Sequence, residues 1–456
     1  MLTLLFYQKM DKDNKGSLKI YSQRCFLEGR LMPASISATE GKITEIVPEK
    51  QPDAIDFGNA VIMPGCLDAH VHINEPGRTD WEGFETATRA ALAGGTTSVV
   101  DMPLNSSPVT VSVKDLEAKV EAAKGKLHCH VGFYGGVIPG NSGELAGLAK
   151  AGVLGFKCFL VHSGIDDFPN VSRQDLEEAM PVLDKFGLPL LAHCEFPDKE
   201  ESSALIMNPK SYMAYLESRP KKWENDAVAL MIELSEKFNC PVHIVHVSSA
   251  EALILIQKAK EKGLKITAET CPQYLLFDAE TIPDGNTLYK CAPPIREKEN
   301  NLLLKKALKN GILDFIATDH SPAPPEIKEL ESGNLAKAWG GIAGIQFLLS
   351  ASWTALRDEI SIEKFIPLLT ENPARFLKVD YKKGKIKTGY DADLVVWNPE
   401  ETFVPQEEDL LFRHKFSPYT GKRLTGRVLS TYLAGNQVYY QQKITSSPQG
   451  IWLRQA

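Results

Sequence analysis

The feature that most restricts the fold is a strand-then-helix rhythm repeated over about 300 residues in the middle of the chain. Short apolar runs read as strands: CLDAHVHI, TTSVVDMPL, LHCHVGFYGG, VLGFKCFLV, PLLAHCE, CPVHIVHVS, KITAETCP and LDFIATDH. Between them WEGFETATRAALAGG, VSVKDLEAKVEAAKG, VSRQDLEEAMPVLDKFG and NDAVALMIELSEKFN carry apolar residues at helical spacing, and several end on Gly or Asn. This alternation calls for a parallel sheet with helical crossovers. About eight such units, with no Gly-rich dinucleotide fingerprint after the first strand, favour a (β/α)8 barrel of the TIM type over an open sheet.

The two ends read differently. SLKIYSQRCFLEGR, ASISATEGKITEIVPE and AVIMPG at one end, and GKIKTGYDADLVVWNPEETF and GRVLSTYLAGNQVYY at the other, are short strands broken by turns. The expected architecture is therefore α/β, with residues 63–378 forming the barrel and residues 1–62 and 379–456 sharing a small β domain. A chain of 456 residues, 43% hydrophobic, is large enough to require a second unit beside one core.

A formal charge of −7, with Lys and Arg scattered among acids, offers nucleic acid or an anionic membrane no attraction. No run approaches the roughly 18 apolar residues a membrane span needs. The opening MLTLLFYQK has neither a basic region before it nor a small-residue cleavage site after it, and reads as a tail or first strand. Eight dispersed cysteines without a C-x-x-C pair suit buried free thiols in a reducing cytoplasm.

In such a barrel the active site lies at the C-terminal ends of the strands. The first of these ends sits in PGCLDAHVHINEPGR, where His70 and His72, two residues apart, project from one side. Alone, that pair could be a polar strand end. Lys157 in GFKCFL, His193 in LLAHCE, His246 in HIVHVSS and Asp319 in IATDHSP extend it in barrel order. Four imidazoles and a carboxylate suit zinc, cobalt, manganese or iron. His243, at an odd offset from His246, should face the opposite way and act in packing or support, and His320 should turn away from the Asp319 position. His128, His130 and His414 have no partner set and read as structural or surface residues. An ammonium at Lys157 would repel divalent cations, so it fits only if neutral or converted by carbon dioxide to a carbamate; the ordinary alternative is a lysine snorkelling out of a strand.

These segments resemble the cyclic amidohydrolases of the amidohydrolase superfamily, and within them the allantoinases. The similarity extends over essentially the whole chain, through HINEPGRTDWEGFETATRAALAGG, DMPLNSSP, GFKCFL, DHSP, AWGGIAG and GYDADLVVWNP. It implies a barrel flanked by a β-sandwich from both chain ends, and two divalent metals, zinc before cobalt, manganese or iron, held by His70, His72, Lys157, His193, His246 and Asp319, with Lys157 as the bridging N6-carboxylated residue. It also implies hydrolysis of the allantoin ring to allantoate, with Asp319 moving the proton, in a cytoplasmic homotetramer.

The alternatives are a dihydroorotase, a dihydropyrimidinase or hydantoinase, a non-catalytic scaffold relative, and a single-metal deaminase on the same barrel, against which a lysine at the fourth-strand position argues. Dihydroorotases carry an arginine two residues beyond the histidine pair, where this chain has Asn74, an amide that cannot replace a charged fork. Dihydropyrimidinases carry a tyrosine five residues after the lysine, where this chain has His162. Scaffold relatives lack metal ligands, and none is missing. Ala323 departs from the cysteine that allantoinases often carry in the SPCxP loop. A small neutral ureide calls for uncharged contacts, for which Asn74, Asn105, His162, Ser321 and Gly341 are the candidates.

Overall fold

A computed structural model describes residues 17–197 and 207–455, so the opening MLTLLFYQK lies outside the described residues. The first strands are β1 (Ser17–Leu27), β2 (Arg30–Thr39), β3 (Lys42–Val47), the two-residue β4 (Ile55–Asp56) and β5 (Val61–Pro64). The parallel set follows: β6 (Cys66–Val71), β7 (Thr96–Asp101), β8 (His130–Phe133), β9 (Gly135–Gly136), β10 (Phe156–Phe159), β11 (Leu190–His193), β12 (Val242–Ile244), β13 (Ile266–Thr270) and β14 (Phe315–Ile316). The chain closes with β15 (Leu394–Phe403), β16 (Leu424–Leu433), β17 (Asn436–Tyr440) and β18 (Lys443–Ile444).

Both chain ends meet in one sheet of order β18-β17-β16-β15-β5-β1-β2-β3, with β4 on β1. The join is the antiparallel pair β15–β5, in which Leu394 faces Pro64 and Trp397 faces Val61. β1 alternates exposed and buried positions over its first half, as a strand with one wet face does. The parallel strands differ: β6, β7, β8, β10 and β11 are buried at every position. That pattern belongs to a sheet covered on both faces, and it explains why these segments read as unbroken apolar runs.

The parallel strands form two stretches, β6-β7-β8 and β14-β13-β12-β11-β10-β9. Tyr134 links them, because its N–H donates to Asp101 O (3.0 Å) while the next residue, Gly135, donates to Gly155 O (3.0 Å). At the other edge a parallel bridge joins Val71 to His320, and His72 N donates to His320 O (2.7 Å). The long run LHCHVGFYGG thus divides at Tyr134, whose hydroxyl reaches back to Ala69 O (3.0 Å).

Helices lie where the apolar periodicity puts them. Arg173–Phe186 starts on a reciprocal Ser172–Asp175 capping box and stops at Gly187 in the left-handed conformation. Lys221–Phe238 begins a turn earlier than its periodic core suggests, after Pro220, and ends on left-handed Asn239.

One ionic cluster ties the mixed sheet to the parallel strands. Lys383 Nζ bonds Asp393 and Asp391 (2.8 Å), Asp393 also takes Ala434 N (2.8 Å), and His130 Nε2 lies 3.4 Å from it. His130 Nδ1 in turn accepts from Ile451 N (3.2 Å), where residues 450–454 return to lie beside β8. Burial raises the Asp393 carboxyl, but Lys383 and His130 outweigh it and hold the group well below the usual carboxylate range. Asp393→Ala leaves a buried ammonium half-compensated. It is expected to destabilise the protein by about 3 kcal/mol, read as a lower urea midpoint.

Candidate metal centre and substrate cavity

His70, His72 and Asp319 converge where the parallel strands end. Asp319 Oδ1 lies 3.2 Å from His70 Nε2 and 3.4 Å from His72 Nε2, and the three ligand atoms fall within 4.8 Å of one another. The other imidazoles adjoin them: the His246 ring is centred 5.5 Å from His70 and 4.6 Å from His193. Lys157 is wholly buried nearby, 4.9 Å above the Phe159 ring, and Phe159 stacks on His193 at 4.6 Å.

Each side chain has a partner that orients it. His70 Nδ1 and Glu269 Oε1 are 2.6 Å apart, so the His70 N–H is directed away from the cluster and Nε2 toward it. His193 Nε2 bonds Glu195 (2.8 Å), which Arg219 holds from the other side. The Asn105 amide lies 3.3 Å from His72 Nδ1, and Asn105 Oδ1 is buried without a partner. Presenting that oxygen would place the His72 proton on Nδ1 and leave Nε2 a lone pair for the cluster.

Burial lowers His70 and His246 well below the ordinary imidazole range, and His193 in the same direction. Those directions favour the neutral imidazole, the form with a free lone pair. Burial also brings Lys157 down to about 8 and raises Glu269 to about 8. Glu195 goes the other way, because Arg219 and His193 outweigh burial and bring it to about 2.

The donor set fits a cation. His70 Nε2, His246 Nδ1 and Lys157 Nζ are buried without a hydrogen-bond partner, a costly condition for polar atoms unless something else binds them. Backbone strain gathers here too. Asn74, Asn105, His246 and Asp319 all have positive φ, at 67°, 67°, 40° and 48°. Strain of this kind persists only where the surroundings impose it, and it concentrates at functional sites.

The left-handed turn at His246 also corrects the expectation for His243. β12 ends at Ile244, so the alternation that would set the two histidines on opposite faces is broken. His243 points inward below the cluster, stacked on Phe315, with Nε2 3.2 Å from Glu269 Oε2. It supports the group that orients His70. His320 turns away as expected, accepting from Gly344 N (3.1 Å).

A cavity of about 950 Å³ opens over the cluster and is lined by His70, His72, Lys157, His193, His246 and Asp319. Of the substrate candidates, Asn105, His162 and Ser321 line it. His162 is exposed at the rim, 3.3 Å from Asp166, and Ser321 Oγ accepts from Trp339 Nε1 (3.3 Å). Asn74 and Gly341 are not among its lining residues. Asn74 is buried and donates to Pro322 O (3.3 Å), and Gly341 packs so closely on Ser321 that a Cβ would meet its carbonyl oxygen at 2.3 Å.

Glu269 and Glu195 escaped sequence reasoning. A signal existed: each is an acid on or just beyond an apolar strand, two residues from another polar position, which places it on the inward face.

The profile of the Amidohydrolase family matches residues 61–438. The chain belongs to the amidohydrolase family. It is 41% identical over 454 residues to the allantoinase of Arabidopsis thaliana, a match covering 94% of this chain and 90% of that protein. To the Streptomyces avermitilis allantoinase it is 42% identical over 439 residues, covering 95% and 97%. Among solved structures it resembles the L-hydantoinase (dihydropyrimidinase) of Arthrobacter aurescens, at TM-score 0.88 and 27% identity, covering 96% of this chain and all of that one. As an amidohydrolase it is an enzyme of the cyclic amide class, with a buried His/Asp group suited to metal.

Proposed function

We propose that this chain hydrolyses allantoin, opening the hydantoin ring to allantoate. Identity of about 40% to allantoinases along nearly the entire chain carries that reading. Asn74 stands at the sequence position where a dihydroorotase has its carboxylate-binding arginine, which disfavours that rival.

His70, His72, Lys157, His193, His246 and Asp319 would hold two divalent cations, zinc first among the candidates, with Lys157 as the bridge after carboxylation. Cations bound there would make a water nucleophilic near neutral pH and polarise the ring amide carbonyl. Lys157, with its pKa lowered by burial to about 8, offers a free amine fraction at neutral pH, the form that adds carbon dioxide. Asp319 sits at the mouth of the cluster, positioned to take a proton from water and hand it to the departing ring nitrogen. Glu269, Glu195 and Asn105 hold the imidazoles in the ligating orientation. Glu269→Gln is expected to weaken metal retention about 10- to 100-fold, read by competition with a coloured chelator.

The two parallel stretches, joined through Tyr134 and Val71–His320, are read as arcs of one (β/α)8 barrel over residues 63–378. The described parts of residues 1–62 and 379–456 are read as the β-sandwich domain beside it, supported by the one mixed sheet they share. No helix among the described residues is long and apolar enough to cross a membrane. A cytoplasmic homotetramer completes the proposal.

Turnover of allantoin, hydantoin, dihydrouracil and dihydroorotate by one preparation tests the assignment. Allantoin should lead by at least about 10²-fold in kcat/KM, an expected gap of some 2.7 kcal/mol. A different leading substrate would replace the assignment.

A further inference from the structure

Two lysines brace the cavity wall formed by residues 336–340 through its carbonyl oxygens, and they are not equivalent. Lys328 is buried and saturated: its Nζ donates to the carbonyl oxygens of Lys290 (2.8 Å), Trp339 (3.1 Å) and Gly341 (2.5 Å). An ammonium has three N–H donors, so nothing is left over. Lys290, in the KCAPPIR stretch, lines the cavity itself. Its Nζ donates to Ala338 O (2.5 Å) and Ala336 O (3.4 Å), with the Tyr215 ring centred 5.3 Å away. Two donors are used and the third has no acceptor among the described residues. Lys290 is only 8% exposed, so water does little to compensate it, and burial lowers its pKa to about 7. An acceptor supplied by a ligand would offset that cost.

The cavity, about 950 Å³, is far larger than one five-membered ring needs, and the His70–Asp319 cluster lies at its floor. Allantoin differs from hydantoin by an exocyclic ureido arm, whose carbonyl oxygen is a strong neutral acceptor. With the ring amide held at the floor, the arm extends up into the cavity, whose wall includes Lys290.

We infer that Lys290 is the specificity-determining residue for that arm, donating its free N–H to the ureido carbonyl oxygen. The inference rests on the allantoin reading. It assigns a charged donor to a substrate that carries no charge, while the neighbouring Lys328 only holds the wall.

The test compares allantoin with 5-unsubstituted hydantoin, which has the ring and lacks the arm, in the intact metal-loaded enzyme. For Lys290→Met, KM for allantoin should rise about 10- to 100-fold, the effect of one charge-assisted hydrogen bond. The constant for hydantoin, as competitor or slow substrate, should move less than about threefold. Lys328→Met is the structural control, expected to weaken both ligands by a common factor. Should Lys290→Met fail to fold, Lys290→Arg retains donors for both carbonyls and displaces the third, and the same ratio decides. Parallel changes for the two ligands at position 290, or none for either, would overturn the inference. A wild-type enzyme inert toward allantoin would instead remove the substrate reading on which it rests.

Discussion

Asp319→Asn is expected to lower kcat for allantoin by about 10³-fold with KM changed by no more than a few-fold. Asparagine has the same shape and keeps an oxygen beside His70 and His72, so the left-handed backbone at this position, which Asn tolerates well, should be preserved. What disappears is a group that can take up a proton and release it. If Asp319 served only as packing at the end of β14, the exchange would be nearly silent. Stopped-time assays of allantoate formation, with metal content measured on the same sample, separate proton transfer from metal loss.

Lys157→Met should cost at least as much, about 10³-fold or more in kcat, together with a fall in bound metal that added bicarbonate does not restore. Methionine fills nearly the same volume and needs no hydrogen bond. In the metal-free proteins a buried ammonium without a partner is a burden on the fold, so its removal is expected to leave the melting temperature of the stripped variant unchanged or higher than that of the stripped wild type. Loss of function without loss of stability is the signature of a lysine retained for its nitrogen. A snorkelling or packing lysine would give the reverse, an active variant.

Much of this architecture is legible in the residues themselves. Strands buried on both faces leave continuous apolar runs, and helices leave a 3.6-residue stripe, so the parallel α/β region announces itself between Cys66 and Ile316. The histidine pair, Lys157, His193, His246 and Asp319 stand out because each polar group interrupts such a run near its end. Strand parity failed at His243, because it presumes regular backbone up to His246 and the strand stops at Ile244 in a left-handed turn. The supporting acids Glu269 and Glu195 were missed because their meaning depends on which imidazole lies across from them, and that pairing joins residues 199 positions apart in one case. Asn74 looked like a substrate contact from its position after the histidine pair. Its own left-handed φ aims the amide at Pro322 instead, something no spacing rule encodes.

The most direct test of the account strips the protein with a chelator and titrates zinc back in the presence of bicarbonate while allantoin turnover is followed. The stripped protein should show no turnover, and activity should return and level off at two equivalents of metal per chain. Turnover that survives stripping, or that reaches its plateau at a single equivalent, would contradict it.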